Sequence, residues 1–78
     1  MMLTEAGGAS VNSTLLATVM YEASQSTLHL EFCDGAIYRY FAVPGDIYHG
    51  LLFADSKGTY FNRKIRNRFA FVLLRRPQ

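Results

Sequence analysis

Apolar and polar positions along this chain change period twice, and each change marks an element. Leu15 to Glu22 is rich in apolar and β-compatible residues, among them Leu16, Thr18, Val19 and Tyr21. The polar stretch Ala23-Ser24-Gln25-Ser26 ends it, which predicts a first strand and a turn. Leu28-His29-Leu30-Glu31-Phe32 then alternates strictly, the pattern of a half-buried strand. Asp34-Gly35 comes next, a two-residue hairpin signal, because a type I′ turn needs positive φ at both central positions. Ala36 to Val43 is the returning third strand. A two-residue turn would set Phe32 opposite Ile37, Leu30 opposite Arg39 and His29 opposite Tyr40. One face would then carry Leu28, Leu30, Phe32, Ile37 and Phe41 with Arg39 as the odd member. The other would carry His29, Glu31, Cys33, Ala36, Tyr38 and Tyr40.

After Pro44 the period becomes helical. Ile47, Leu51 and Ala54 recur at i, i+4 and i+7, with Tyr48 and Leu52 widening the stripe and Gly50 inside it. Asp55 or Ser56 can cap a second helix, and Gly58 eases the bend between the two. On that second helix Phe61, Ile65, Phe69 and Val72 fall within about 80° of one another at 100° per residue. The pattern predicts an α+β fold, a three-stranded antiparallel sheet followed by two helices packed on one face, in the order β-β-β-α-α. Residues 1–12, with Gly7-Gly8-Ala9-Ser10, read as a flexible N-terminal tail. Residues 13–74 read as the single domain, and 75–78 as a basic C-terminal end.

These residues, in this order, resemble the KTSC domain family. The resemblance rests on Ser13, Leu28-x-Leu30-x-Phe32, Gly35, Tyr38-x-Tyr40, Val43-Pro44, Tyr48 and Ala54, then on Ser56-x-Gly58-x-Tyr60-Phe61-Asn62 with Ile65-Arg66. It spans roughly residues 13 to 72. It implies a small domain found at the C-terminus of some lysyl-tRNA synthetases and as a stand-alone bacterial protein, for which RNA binding has been suggested. The end departs from that pattern, in the apolar run Phe69 to Leu74 and in Arg75-Arg76.

Charge adds what periodicity leaves out. The 78 residues carry a formal net charge of only +2, but the charges are segregated. All six acids stand at or before Asp55, accompanied by Arg39 alone among the cations. Lys57, Arg63, Lys64, Arg66, Arg68, Arg75 and Arg76 come after it with no acid among them. Such a segment suits phosphate contacts, which give sequence-independent, salt-sensitive affinity. Its alternative role is to solvate the helical face and complement the acidic strands. Tyr38 and Tyr40 likewise admit two readings. On an exposed sheet face they would stack single-stranded bases. Turned inward they would join the core with their hydroxyls at its edge, and Arg39 on the otherwise apolar face favours that inversion.

Other chemistries find little support. One Cys33 cannot form an internal disulfide, and one thiol with two histidines is sparse for a structural zinc site. His29 and His49 stand in different elements without a motif partner, and six scattered carboxylates show no pairing. The expectation is therefore a non-enzymatic domain without cofactor or metal. The longest apolar run, Phe69 to Leu74, is far short of the ~20 residues of a membrane span, and the first residues lack the features of a signal peptide. A cytoplasmic protein with no membrane association is expected. The expected partner is RNA or another nucleic acid, held by the seven basic residues with Tyr38 or Tyr40 stacking. The alternative is a protein-interaction or homodimerisation module, such as an accessory or inhibitory protein of a mobile element. It is motivated by the 14% aromatic content and the apolar terminal run.

Overall fold

A computed structural model describes residues 8–10 and 14–78. Its elements are β1 (Gly8–Ser10), β2 (Leu16–Glu22), β3 (Thr27–Phe32), β4 (Ile37–Tyr40), α1 (Gly45–Phe53), α2 (Lys57–Lys64) and β5 (Phe71–Arg75). All five strands form one antiparallel sheet in chain order. The α+β class holds, but the three expected strands become a four-stranded meander, β2 to β5, extended at one edge by the short β1. The expected N-terminal tail thus contains a strand, Gly8–Ser10, paired with Thr18–Met20. Residues 1–7 and 11–12 of that tail lie outside the described residues.

The turn between β3 and β4 sets the faces. The Gly35 N–H donates to the Phe32 carbonyl at 2.9 Å and the Phe32 N–H to the Ala36 carbonyl at 2.8 Å. The loop is therefore three residues, Cys33-Asp34-Gly35, with Gly35 left-handed at φ 95°. That is a type I turn closed by a bulge residue rather than the expected two-residue turn. The Asp34 carboxylate supports it by accepting the Ala36 N–H at 3.0 Å. One added loop residue moves the register by one: Leu28 pairs with Tyr40, His29 with Arg39, Leu30 with Tyr38 and Glu31 with Ile37. A one-residue shift exchanges the faces of a strand. The face assignment for Ile37, Tyr38, Arg39 and Tyr40 is accordingly reversed, and both tyrosines share the helix side with Leu28 and Leu30.

A second irregularity serves the core. The register of β2 slips between Leu16, opposite Phe32, and Thr18, opposite Glu31. Regular pleating would send Leu16 and Val19 to opposite faces; the extra residue lets both point to the helices. They are fully buried with Leu28, Leu30, Val43, Leu51 and Ile65. Tyr21 closes one end of this core, donating its hydroxyl to the Val43 carbonyl at 2.6 Å and stacking on Tyr48 at 4.8 Å.

The second helix is shorter than its apolar stripe. Ser56 caps it by accepting the Thr59 N–H at 3.2 Å, as a residue at this position can. At its other end Ile65 leaves helical geometry, the Arg66 N–H reaches back to the Phe61 carbonyl at 2.9 Å, and Asn67 turns left-handed at φ 62°. Left-handed Asn67 closes the turn that follows, in which the Arg68 N–H donates to the Ile65 carbonyl at 3.0 Å. Phe69 and Val72 therefore do not continue the helix. The β-forming run Phe71-Val72-Leu73-Leu74 instead pairs with the open edge of β4, starting where the Phe41 N–H meets the Ala70 carbonyl at 2.9 Å. Arg75, expected in a separate basic end, is the last residue of that strand.

Two of these contacts can be tested through stability. Gly50 sits inside α1 because the Tyr60 ring lies against it, with the Tyr60 hydroxyl donating to the Ile47 carbonyl at 3.0 Å. A Cβ at position 50 would overlap that ring. Gly50→Ala, which in an open helix would stabilise, is expected to cost about 1–2 kcal/mol in urea unfolding. On the sheet face away from the helices, Arg39 Nε–H donates to His29 Nε2 at 2.7 Å, which requires neutral His29. Burial, and secondarily the Arg39 charge, hold the His29 pKa below its ordinary value of 6.5, while Glu22 pulls the other way. As pH falls the unfolded chain takes up this proton first. The contribution is thus complete above about pH 6.5 and is lost as pH falls through the lowered folded-state value. Urea midpoints should decline over that window, and His29→Gln should remove this part of the decline.

Candidate nucleic-acid interface

The face that packs the helices continues beyond them as an aromatic groove. Around its floor five rings touch in a closed cycle. Phe32 meets Phe61 at 5.3 Å, Phe61 meets Tyr40 at 6.1 Å, and Tyr40 meets Phe71 at 5.5 Å. Phe71 then meets Tyr38 at 5.5 Å and Tyr38 returns to Phe32 at 5.5 Å. The rings come from four parts of the fold: the end of β3, both tyrosines of β4, the middle of α2 and the first residue of β5. Tyr40 is buried at 4% exposure, whereas Phe71 is 52% exposed and Tyr38 lies between them. The inner rings are core and the outer two present surface.

Above this floor lies a cavity of about 460 Å³, within the range of small-ligand sites. Asn62, Arg66 and Asn67, from α2 and the turn that ends it, line one side. Asp34, Ala36 and Pro77 line another. Arg66 is exposed, and its Nη1 is 3.4 Å from the Asn62 Oδ1, a long and weak bond that leaves the guanidinium available. Burial, with a smaller push from Tyr38, raises the Tyr40 pKa to about 12 against the opposing charge of Arg66. Tyr40 is a neutral hydroxyl at physiological pH.

The structure separates the basic residues that the sequence groups together. Arg66 alone joins Tyr38 and Tyr40 at the groove. Arg63 and Lys64 line a shallower depression of about 250 Å³ with Asp55, Ser56 and Tyr60. Lys57 donates to the Ala54 carbonyl at 3.1 Å, closing the bend between the helices. Arg68 is exposed in the turn after α2, and Arg76 is exposed beyond β5. Arg75 is already engaged: its Nη2 pairs with the Glu31 carboxylate at 3.0 Å and its Nε–H donates to the Gly35 carbonyl at 2.8 Å. It holds β5 to the hairpin turn.

Residues that sequence reasoning did not place in the site are Phe32, Phe61, Phe71, Asn62, Asn67 and Asp34. Phe71 was hidden by a helical reading of the terminal run, although a series of β-formers after the left-handed-tolerant Asn67 was the available signal. Among the described residues no helix is long and apolar enough to cross a membrane, and no three His, Cys, Asp or Glu side chains are grouped to hold a metal ion.

Comparison with known proteins agrees with this architecture. A chain of Stutzerimonas stutzeri, described as an uncharacterized protein, is 43% identical over 54 residues, 69% of this chain and 76% of that one. The lysine–tRNA ligase of Nostoc punctiforme is also 43% identical over 54 residues, which make up 10% of the ligase. The crystal structure of a KTSC domain protein from Yersinia pestis matches with a TM-score of 0.83 at 24% identity, over 88% of this chain and 97% of that one. It shares the fold. The KTSC domain pattern itself matches residues 12–69, reaching the Arg66 side of the groove and stopping short of β5. The chain belongs to the KTSC domain family.

Proposed function

We propose that this domain is a non-enzymatic module that binds single-stranded RNA in the groove between α2 and strands β4 and β5. The observation that carries this reading is the convergence of Tyr38, Phe71 and Arg66 on one cavity of about 460 Å³. Partly exposed rings offer stacking surface to a base, and every base has a π-face. A guanidinium at the rim serves the charged backbone or the edge of the base. In a duplex the bases hide those faces in their own stack, so the groove suits an unpaired strand. Arg63 and Lys64, and beyond the turn Arg68, extend positive charge away from the rim. The segment shared with a lysine–tRNA ligase, an enzyme that acts on RNA, supports RNA over DNA.

A short fluorescent RNA should bind the full chain at low salt, with affinity falling steeply as salt rises. Arg63→Glu combined with Arg66→Glu should weaken binding at least tenfold and flatten the salt dependence. Tyr38→Ala or Phe71→Ala should weaken binding about fivefold to a hundredfold and leave the salt slope unchanged, as loss of one stacked base does. Absence of binding at low salt, or indifference to the double charge reversal, would sink this reading.

A second reading is favoured by β5. Phe71, Val72, Leu73 and Leu74 are all exposed on an edge strand whose outer side is unpaired among the described residues, the arrangement most prone to strand addition. A second copy of β5 is the natural occupant, because antiparallel two-fold pairing matches the apolar run to itself and sends the Arg75-Arg76 ends apart. Sedimentation at micromolar concentration should then show a dimer that Leu74→Lys dissociates. A monomer throughout that range would exclude self-pairing.

A further inference from the structure

We propose that the groove reads guanine, and that Arg66 contacts the base edge rather than the phosphate; this rests on the nucleic-acid reading above. The groove first rejects one familiar class of ligand. Aromatic floors also hold quaternary ammonium groups, by attraction between the cation and the ring faces. Here Arg66 lines the same cavity and balances the Asp34 carboxylate, so the lining has no net negative charge to hold such a cation. A flat, uncharged ring system with polar edges remains, which describes a nucleobase.

The walls then discriminate among bases. On the α2 side every available group is a donor or can present one. Arg66 offers a planar fork, and Asn62, whose Oδ1 already faces Arg66, keeps its amide N–H groups for the cavity. From the hairpin side comes Asp34, a carboxylate and so purely an acceptor. Its Oδ1 takes the Ala36 N–H at 3.0 Å, leaving the second oxygen to the groove. A matching base needs acceptors along one edge and N–H donors along another. Guanine has both, with O6 and N7 on one edge and the N1–H and N2 amino group on the other, and the arginine fork against O6 and N7 is the commonest specific contact to it. Adenine offers N7 beside an amino donor that would face the guanidinium. Uracil and cytosine have no imidazole ring, so neither offers the fork a pair of acceptors on an edge separate from its N–H donors.

This assignment divides the basic residues by role. Arg66 specifies, while Arg63 and the other exposed cations position the strand without reading it. A lysine at position 66 would keep the charge and lose the planar fork. The structure thus distinguishes two uses of one positive charge that differ in a measurable way.

The test uses the full chain and fluorescent oligouridylates carrying a single central guanosine, adenosine or cytidine. The guanosine oligomer should bind about fivefold to a hundredfold more tightly than the other two, the span expected for one good bidentate pair. Arg66→Lys should bring its affinity down to that of the adenosine oligomer while leaving the adenosine affinity and the salt slope unchanged. Asp34→Asn should cause the same collapse, since asparagine keeps the carbonyl that accepts the Ala36 N–H and preserves the turn. Arg63→Gln should weaken all three oligomers equally. Equal affinities for the three oligomers in the unaltered chain, or a guanosine preference untouched by both Arg66→Lys and Asp34→Asn, would overturn base reading and leave RNA binding standing. No binding of any oligomer at low salt would overturn the RNA reading itself.

Discussion

The left-handed backbone of Gly35 is the constraint on which the aromatic groove depends. With φ at 95°, it lets the chain reverse over three residues, and the third shifts the β3–β4 register by one. A side chain here would be strained by its own backbone and crowded by Gln78, whose side chain lies over the turn. The shift turns Tyr38 and Tyr40 toward the helices and Ile37 and Arg39 away from them. Each later contact uses that choice. Glu31 is placed where Arg75 can reach it, the Gly35 carbonyl accepts from the same arginine, and Tyr40 comes opposite Phe71. A hairpin with the shorter loop would have put the two tyrosines on the far side of the sheet from Phe61 and Arg66.

The sequence was legible where one signal acted alone. Alternation over Leu28 to Phe32 marks β3, and Ser56 marks the start of α2, because strand period and capping are local properties. Loop length escaped because Asp34-Gly35 suits both a two-residue turn and the last two positions of a three-residue loop; the choice is made by strand partners distant in sequence. Arg39 was the residue that objected to the shorter loop, and it does pair with His29 on the open face. The terminal run was misread for a related reason. Phe69 and Val72 fit the helical stripe of Phe61 and Ile65, but Asn67 breaks the helix and a free edge of β4 competes for the residues beyond it. Tertiary opportunity overrode a local period.

The segregation of charge along the chain also takes on a spatial meaning. Seven cations without an acid suggest one basic surface, yet they occupy distinct places with distinct duties. Arg75 is structural, Lys57 braces the joint between the helices, and Arg66 is the one set beside the aromatic floor. Net charge describes long-range attraction of a polyanion. The local chemistry of the groove rests on far fewer groups.

The Arg75 anchor has a further consequence for the order in which the molecule is completed. Its bonds to Gly35 and Glu31 span 40 and 44 residues, so β5 closes a long loop around both helices. Such closures carry an entropic cost that is recovered only when the final contacts form. During synthesis the hairpin and helices emerge from the ribosome before β5 exists, and the groove then lacks the Phe71 wall. The groove is therefore completed in a late step of folding, and docking of β5 would be thermodynamically linked to occupancy by any ligand that touches Phe71: such a ligand would hold the strand in place, and a loosened strand would release it.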